Sequence, residues 1–477
     1  MVAAKNYIAG EWVTDARGPE VRAPGNLDEV LGTVPLTTTA EVEAAVEAAA
    51  RAQDGWRHLS GVERGNILFR AAAVLEAHVD ELGALAAREM GKPIGEARAE
   101  AARAVSIFRY YAGEGSRAIG EVIPSANATT LQFTLRVPLG VVGIITPWNF
   151  PLAIPAWKMA PALAYGNTVV LKPAEWASLT AARIIELIGP LFPPGVVNLI
   201  LGKGSVVGEA LVRHPAVAGI SFTGSGDTGQ HIAQVAVERG AKYQLEMGGK
   251  NPVIVADDAD LDRVVELTVS GAMRSAGQKC TATSRVIATR GIKPRLAEAL
   301  VERVRQLKQG NPLDPDTYLG PVVSAAQEEK ILAMIQKGRD EGARILAGGG
   351  RADVGLRGFY IAPTVFDDVD SRMTIAQEEI FGPVVAIQEA ADIEDAIRIA
   401  NGVRYGLSAS VFTRDLKTAL LFVDRIEAGM VRVNEETAGV ELQAPFGGMK
   451  ASSSHSREQG RAAIEFFTHT KTVAIRP

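Results

Sequence analysis

From residue 139 onward the chain alternates short apolar runs with segments of helical pattern, and this alternation restricts the possible folds more than any other feature. The runs are LGVVGIITP, NTVVLKP, VVNLILG and VAGISFTG, followed by NPVIVAD and SRVIATR. Apolar strands separated by helices are typical of a parallel sheet with crossover helices. Two α/β layers of similar size fit the 477 residues, which exceed what one hydrophobic core usually serves.

The segments outside these layers have other patterns. TAEVEAAVEAAARAQD predicts a first helix over residues 39–54, with Thr38 and Glu41 at capping-box spacing, and residues 61–115 continue the helical pattern. We therefore expect the opening of the chain to be mostly helical. Residues near 119–138 and the tail from about 466 alternate like exposed strands outside both sheets, and such strands often pair between subunits.

Charge and cysteine content exclude several classes of protein. Fifty Lys and Arg against 55 Asp and Glu give a net charge of −5 without long runs of one sign, so we expect no nucleic-acid partner. The opening MVAAKNYIAGEW lacks the apolar run of a secretory signal, and a single Cys280 cannot close an intramolecular disulfide. These features predict a cytoplasmic protein.

Residues 137–157 carry no formal charge and are long enough to cross a bilayer. Four prolines in this stretch make a continuous helix implausible, because each removes a backbone donor. We expect no membrane span here, and instead a buried strand leading into an active-site loop.

Gly224, Gly226 and Gly229 spell GxGxxG between an apolar strand and the helical segment DTGQHIAQVAVERG. This is the context of a dinucleotide fingerprint, in which glycines permit a tight turn and a helix N-terminus faces phosphate. The acidic residue about 20 positions further on is Glu246. A plain Rossmann interpretation assigns it to the adenosine ribose, but the two glycines after it suit a catalytic carboxylate equally well, and a surface carboxylate is the third alternative.

Two further residues are candidates for chemistry. A lone cysteine is usually a small buried hydrophobe, but Cys280 lies among polar and small residues beside Lys279, whose charge favours a thiolate that could attack a carbonyl carbon. Asn149 stands between two prolines in PWNFP. It is either a turn residue or an amide donor held rigidly enough to stabilise an oxyanion.

Metal and hydrolase chemistry have little support. The six histidines show no HExxH motif or clustered metal spacing, so with one cysteine we expect no metal site. His455 could be imagined as the base of a hydrolase, but the chain has no GxSxG elbow, and the GxxxxGK[ST] loop of ATP-binding proteins is also absent.

Taken together, these residues resemble the aldehyde dehydrogenase superfamily. The motifs that carry the resemblance run in family order over nearly the whole chain: PWNFP at 147–151, LKPAE at 171–175, FTGSGDTG at 222–229, LEMGGKNP at 245–252, GQKCTATSR at 277–285, EEIFGPV at 378–384, and PFGGMK at 445–450 with REQG after it.

The resemblance implies an α/β fold in three parts. These are a Rossmann-like NAD(P)-binding domain over residues 1–118 and 139–248, a second α/β catalytic domain over 249–465 that carries the thiol, and a small β oligomerisation extension formed by 119–138 and 466–477. It also implies a homo-oligomer, either a dimer or a tetramer.

The resemblance also assigns roles residue by residue. Cys280 resembles the nucleophile, Asn149 the oxyanion donor and Lys158 a proton relay, while Glu246 resembles the general base, which replaces the plain Rossmann interpretation. The positions that resemble cofactor contacts are Trp148, Lys172, Glu175, Gly224, Ser225, Glu379 and Phe381, and those that resemble substrate contacts are Trp157 and Arg274.

The implied activity is NAD(P)-dependent oxidation of an aldehyde to an acid through a thiohemiacetal and a thioester on Cys280. The Glu175 carboxylate accepts ribose hydroxyls and would repel a 2′-phosphate, which favours NAD while leaving NADP open. Two rivals are an inactive structural or binding relative, and a relative that passes the thioester to coenzyme A. Intact Cys280, Glu246 and Asn149 oppose the first, and Glu246 favours water over coenzyme A as the acceptor.

Arg274 bears on the substrate because many relatives for simple aldehydes carry an aromatic or apolar residue six positions before the nucleophile. In the aldehyde tunnel its planar guanidinium would suit a carboxylate, and the substrate would be an aldehyde acid such as α-ketoglutaric or succinic semialdehyde. The segment from Asn434 to Gly460 also resembles the α-ketoglutaric semialdehyde dehydrogenase branch. The alternatives are a surface arginine and broad oxidation of aliphatic or aromatic aldehydes, and Glu435 and Glu436 would repel a carboxylate if they face inward.

Overall fold

The computed structural model describes residues 2–13, 17–117 and 119–477. A first seven-stranded sheet contains the apolar runs that precede residue 247, and five of its strands are parallel. The strands Val141–Thr146 and Thr168–Pro173 lie inside this sheet with both faces covered, so they are largely apolar rather than alternating. In spatial order the strands are Lys242–Glu246, Val217–Thr223, Val141–Thr146, Thr168–Pro173, Val197–Leu199, Asn6–Ile8 and Glu11–Val13.

A second seven-stranded sheet follows in the chain and is parallel except at one edge, where Arg344–Ala347 pairs antiparallel with its neighbour. Its apolar core is separate from that of the first sheet. In spatial order the strands are Arg344–Ala347, Thr364–Asp367, Val384–Ala390, Thr283–Thr289, Asn251–Val255, Ser408–Phe412 and Met430–Val433.

Three smaller sheets lie outside the two large ones. Leu131–Pro138 pairs antiparallel with both Thr468–Ile475 and Val122–Ile123, so the two segments predicted as exposed strands outside both large sheets form one small sheet. Near the N-terminus, Asn26–Pro35 pairs with Val2–Ala3 and Arg17–Ala23. Tyr405–Gly406 and Met449–Lys450 form a short two-stranded ribbon.

Helices cover the two large sheets. The first begins at its predicted position, with the Thr38 and Glu41 capping box formed, and it ends four residues later than predicted, at His58. The predicted helical stretch over 61–115 is three helices; the first interruption is at His78, and the second follows from Gly91 in the left-handed region and from Pro93. The α-helices are Thr39–His58, Gly61–Ala77, Val79–Met90, Ile94–Glu114, Ala153–Ala164, Ser178–Ile188, Glu209–Arg213, Gly226–Glu238, Leu261–Met273, Lys293–Arg305, Ala325–Asp340, Thr374–Gln377, Ile393–Asn401, Leu416–Arg425 and Ala463–Phe467.

Two details differ from the sequence-based expectation. The opening of the chain is mostly helical from Thr39 onward, as predicted, but the described residues before Leu36 form strands that were not predicted; Asn6–Ile8, for example, pairs with Val197–Leu199 far away in the sequence. Ala463, which was assigned to the second domain, packs with Phe466 and Phe467 into the core of the first sheet.

The uncharged stretch over residues 137–157 behaves as predicted, forming the end of one strand, the buried strand Val141–Thr146 and a loop leading into the helix Ala153–Ala164. Within the described ranges, none of the helices combines the length and apolar character needed to cross a membrane.

Candidate active site

Three site segments of the first sheet follow the carboxyl ends of neighbouring parallel strands. Asn149 comes three residues after Val141–Thr146, Gly224 directly follows Val217–Thr223, and Glu246 is the last residue of Lys242–Glu246. Ligands of open α/β sheets bind outside these ends, where the loops converge. The carboxyl ends of these strands therefore bring the predicted fingerprint loop at Gly224, the amide of Asn149 and the carboxylate of Glu246 to one cleft.

The Cys280 thiol is carried to the same cleft by a tight turn in the part of the chain that forms the second sheet. The helix Leu261–Met273 ends there, and Ser275, Ala276 and Gly277 follow with φ values of 54°, 52° and 68°, in the left-handed region. Asn149 Nδ2 donates to the carbonyl oxygen of Gln278 at 2.9 Å, which ties the amide to the turn that carries half-buried Cys280. One of the two amide hydrogens of Asn149 is used in this bond, and the other is left for a ligand.

The electrostatic surroundings of Cys280 differ from the prediction. Burial, together with the carboxylates of Glu379 and Glu246, raises the pKa of the thiol to about 12. The prediction that the charge of Lys279 favours a thiolate is wrong. The buried ammonium of Lys279 donates to the carbonyl oxygen of Ser270 at 3.3 Å, and burial lowers its own pKa. The thiol is therefore protonated in this state and needs a base to become a nucleophile.

Glu246 is suited to be that base. Its side chain is buried, and burial together with repulsion from Glu458 raises its pKa well above the ordinary value. The Ser453 hydroxyl donates to Oε2 at 2.5 Å, while Oε1 has no hydrogen-bond partner among the described residues. A buried carboxyl group with a raised pKa and one oxygen without a hydrogen-bond partner can act as a proton acceptor.

Lys158 lies behind Glu246 in a buried polar cluster. Its ammonium forms an ion pair with Glu458 and donates to Ser221 Oγ at 3.0 Å. Trp157 Nε1 donates to the other oxygen of Glu458 at 2.8 Å. Glu458 is a member of the site that the sequence-based assignment omitted, although the REQG segment contains it.

The predicted phosphate and ribose positions surround an open helix N-terminus. Ser225 caps the helix Gly226–Glu238, accepting from the Thr228 backbone N–H at 3.4 Å, and Gly226 has open space where a Cβ would stand. Gly224 packs against Phe222, whose ring a Cβ would meet at 2.5 Å. These features leave backbone N–H groups accessible to an anion.

Lys172 and Glu175 lie at and just beyond the end of the neighbouring strand Thr168–Pro173. The Lys172 ammonium is buried, which lowers its pKa to about 8, with the Glu175 carboxylate opposing the shift. Glu175 itself is exposed. The pair presents one cationic and one anionic group to the cleft.

Glu379, Trp148 and Phe381 are the remaining predicted cofactor positions. Glu379 accepts from the Gly249 backbone N–H at 3.0 Å, and burial raises its pKa to about 7. The Trp148 ring contacts Phe381 edge to face, with centroids 5.5 Å apart, and Trp176 at 6.2 Å. Trp176 was missed by the sequence reasoning, although it directly follows the LKPAE motif.

Arg274 caps the helix that leads to the thiol and is exposed. Its guanidinium lies over the Tyr318 ring, 5.6 Å from the centroid, and forms no ion pair with any residue in the described part of the chain. Glu436 and Glu96 are the carboxylates close enough to act on it, whereas Glu435 pairs with Arg263 at 3.3 Å.

Across residues 2–13, 17–117 and 119–477, no group of three His, Cys, Asp or Glu side chains is arranged to hold a metal ion.

Comparison with known proteins agrees with this geometry. The model of the aldehyde dehydrogenase family matches residues 12–473. An alpha-ketoglutaric semialdehyde dehydrogenase from Bacillus subtilis is 54% identical over 477 residues, covering 99% of this chain and 98% of that protein. An alpha-ketoglutarate semialdehyde dehydrogenase from Haloferax volcanii is 42% identical, covering 98% of each chain.

A solved structure has the same fold. A betaine aldehyde dehydrogenase from Staphylococcus aureus in complex with NAD+ superimposes with a TM-score of 0.96 at 37% identity, covering 99% of this chain and 95% of that one. Since the family match spans nearly the whole sequence and the motif residues converge on one cleft, the predicted resemblance is confirmed: the chain belongs to the aldehyde dehydrogenase family.

Proposed function

We propose that this protein oxidises α-ketoglutaric semialdehyde to α-ketoglutarate with NAD as the hydride acceptor. The observation that carries the substrate assignment is the guanidinium of Arg274, which has no ion pair among the described residues and lies at the end of the helix leading to Cys280. A free guanidinium binds a carboxylate through two parallel hydrogen bonds. The names of the relatives from Bacillus subtilis and Haloferax volcanii support the same substrate.

The reaction begins with activation of the thiol. Glu246 accepts the proton of Cys280, whose pKa is too high for spontaneous ionisation, and the thiolate attacks the aldehyde carbon. The resulting oxyanion accepts hydrogen bonds from Asn149 Nδ2 and from the backbone N–H of Cys280. When bound, the nicotinamide ring supplies the acceptor for the hydride that leaves this carbon. A thioester then remains on Cys280.

Hydrolysis of the thioester completes the cycle. Glu246 takes a proton from water, and the hydroxide attacks the acyl carbon and expels the thiolate, which releases the acid. Lys158 and Glu458, joined by an ion pair behind Glu246, provide the proposed relay that returns the accepted proton to solvent.

The residues of the cleft fit NAD. The open N-terminus at Ser225 and Gly226 suits a pyrophosphate, Lys172 and Glu175 suit the adenosine ribose, and Glu379 with Phe381 suits the nicotinamide ribose. The exposed Glu175 carboxylate would repel the 2′-phosphate of NADP. The NAD+ complex of the Staphylococcus aureus relative supports this choice.

We further propose the domain division given by the sequence, with residues 1–118 and 139–248 binding the cofactor, 249–465 carrying the thiol, and 119–138 with 466–477 joining subunits. Each large sheet draws its strands from only one of the two proposed α/β domains, which supports this division, although Ala463 packs on the core of the first sheet.

The charge of Arg274 separates this proposal from the relatives named for betaine aldehyde. Betaine aldehyde carries a quaternary ammonium, which a guanidinium at the tunnel would repel. Broad oxidation of uncharged aldehydes remains the competing function, since Arg274 neither attracts nor repels them.

Steady-state kinetics of Arg274→Ala test the substrate assignment. We expect KM for α-ketoglutaric semialdehyde to rise at least about tenfold, roughly 1.4 kcal/mol, with little change for pentanal, an uncharged aldehyde of similar length. Arg263→Ala serves as the matched control, because Arg263 lies in the helix that Arg274 caps but pairs with Glu435. Equal effects of Arg274→Ala on both aldehydes would reject the carboxylate contact and favour broad aldehyde oxidation.

A further inference from the structure

The loop over residues 452–454 is bonded along the strand that ends at Glu246. The Met247 backbone N–H donates to the carbonyl oxygen of Ser452 at 2.8 Å, and the Ser454 N–H donates to that of Leu245 at 2.9 Å. Between them, Glu246 and Ser453 form an antiparallel bridge. The position of Ser453 relative to the carboxylate is therefore set by main-chain bonds on both sides.

The direction of the Ser453 hydroxyl follows from its two partners. Its Oγ lies 2.6 Å from the backbone nitrogen of Gly448 and 2.5 Å from Glu246 Oε2. A backbone N–H can only donate, so the hydroxyl accepts from Gly448 and its single proton points at Glu246. Oε2 therefore acts as an acceptor and is engaged in this bond.

The second carboxylate oxygen has a different environment. Glu246 Oε1 is buried without a hydrogen-bond partner among the described residues. A Cβ at Gly447 would stand only 3.0 Å from Oε1, and at its φ of +149° glycine is strongly preferred, so the loop keeps this oxygen uncrowded. Oε1 is consequently the oxygen that is free to accept a proton.

We propose that Ser453 is a positioning residue, which holds Glu246 by Oε2 and leaves Oε1 as the oxygen that takes the proton from thiol and water. The inference deepens the proposed function, because it rests on Glu246 acting as the base. The charged and titratable groups that face Glu246 are Glu458 and Arg457 from the C-terminal segment, Lys158 from the helix Ala153–Ala164, and the Cys280 thiol.

Removing the hydroxyl has a definite effect on proton affinity. Burial and Glu458 raise the pKa of Glu246, whereas the bond from Ser453 lowers it, as do the positive charges of Lys158 and Arg457. Without the hydroxyl the pKa rises further, so a higher pH is needed to obtain the basic form. The deacylation rate, which increases with pH as Glu246 ionises, should then have its midpoint at higher pH.

The test compares pH profiles of the single burst of NADH and of the turnover that follows. For Ser453→Ala we expect a burst near one equivalent per chain, and a midpoint of kcat that moves up by about one pH unit. Ser453→Thr, which retains a hydroxyl, should restore the wild-type midpoint. Ser453→Gly removes the same hydroxyl without the methyl of alanine and should reproduce the shift even if Ser453→Ala folds poorly.

Ser454→Ala is the matched control, because Ser454 Oγ accepts from the Leu245 backbone N–H at 2.9 Å in the same loop but does not contact Glu246. An unshifted midpoint in both hydroxyl-free variants, or an equal shift in Ser454→Ala, would overturn the inference. Glu246→Gln is measured in parallel. If it sustains wild-type turnover, the proposed role of Glu246 itself fails; if it stalls while the Ser453 variants are unshifted, only the role of Ser453 fails.

Discussion

At the scale of single residues, the site controls when its thiol becomes reactive. Burial and the carboxylates of Glu379 and Glu246 keep Cys280 protonated, while burial and repulsion from Glu458 raise the pKa of Glu246 well above its ordinary value. Glu246 therefore binds a proton more readily than an ordinary carboxylate, which suits it to accept the proton of the thiol. A resting thiol of this kind reacts slowly until a ligand and the base act on it.

Alkylation of the free protein measures this protection directly, since Cys280 is the only cysteine in the sequence. With a thiol pKa near 12, the reaction with iodoacetamide at pH 8 should be at least about tenfold slower than that of free cysteine, and should still accelerate as pH rises past 9. Glu379→Gln removes a negative charge that raises this pKa and should speed alkylation severalfold.

Glu378→Gln is the control for that experiment, because this neighbouring carboxylate pairs with Arg404 instead. Alkylation as fast as that of free cysteine, levelling off near pH 8, would show that the thiol is not protected.

Motifs predicted the residues proposed to contact ligands, but not all of those proposed to act through other residues. Cys280, Glu246 and Asn149 lie in segments whose neighbours were informative by themselves. The Ser453 contact joins residues 207 positions apart, and the ion pair between Lys158 and Glu458 joins residues 300 apart. The Lys279 prediction failed for a related reason, since adjacency in sequence does not determine where a side chain points.

At the scale of elements, the turn over residues 275–277 determines where the thiol stands. Gly277 has a φ of +68°, and a Cβ there would lie 2.1 Å from the carbonyl oxygen of Gly382. Gly382 follows the segment that carries Glu379 and Phe381. The turn of the nucleophile and the wall of the cofactor cleft thus approach each other so closely that only glycine fits.

Gly277→Ala should therefore disturb both sides of the cleft. We expect a lower melting temperature, measured by circular dichroism, together with a raised KM for NAD, because the clash displaces Glu379 and Phe381. Gly240→Ala is the control that introduces backbone strain without a steric clash, since Gly240 has the same φ of +68° but open space around its Cβ position. That control should lose only about 1 kcal/mol of stability, with KM unchanged. Equal behaviour of the two variants would contradict the close approach.

At the scale of the whole molecule, the small sheet formed by Leu131–Pro138, Thr468–Ile475 and Val122–Ile123 has exposed apolar residues on one face. Paired residues of antiparallel strands point to the same side, and Leu131 lies opposite Ile475 with Leu135 further along that face. Their exposed fractions are 52%, 51% and 42%. Exposed apolar strands at a sheet edge are typical of contacts between subunits, which supports the proposed homo-oligomer.

Light scattering after size-exclusion chromatography tests this assembly. We expect the wild type to have the mass of a dimer or tetramer of the 50.5 kDa chain, and the double variant Leu131→Asp with Ile475→Asp to have a smaller mass. Gln132→Asp with Ala474→Asp places the same charges on the opposite face of the same strands and should leave the mass unchanged. A monomeric wild type would contradict the proposal.

The two α/β layers were predictable because their strands are continuous apolar runs between helices. The strands near the N-terminus were not, since short strands such as Asn6–Ile8 are stabilised by a partner almost two hundred residues away. The short helix Ala463–Phe467 likewise packs on the first core although the sequence places it after the second sheet. Local pattern does not encode such distant pairings.

The most direct test of the mechanism is to trap the acyl group on Glu246→Gln. This variant, mixed with α-ketoglutaric semialdehyde and NAD, should form NADH more slowly than the wild type, because its thiol ionises without the base, and should stop at about one equivalent per chain, because hydrolysis of the thioester requires water to be deprotonated. Mass spectrometry should then find the acyl group on the peptide that contains Cys280. Sustained NADH formation by the variant, or a burst that leaves Cys280 unmodified, would contradict a thioester on Cys280 that Glu246 hydrolyses.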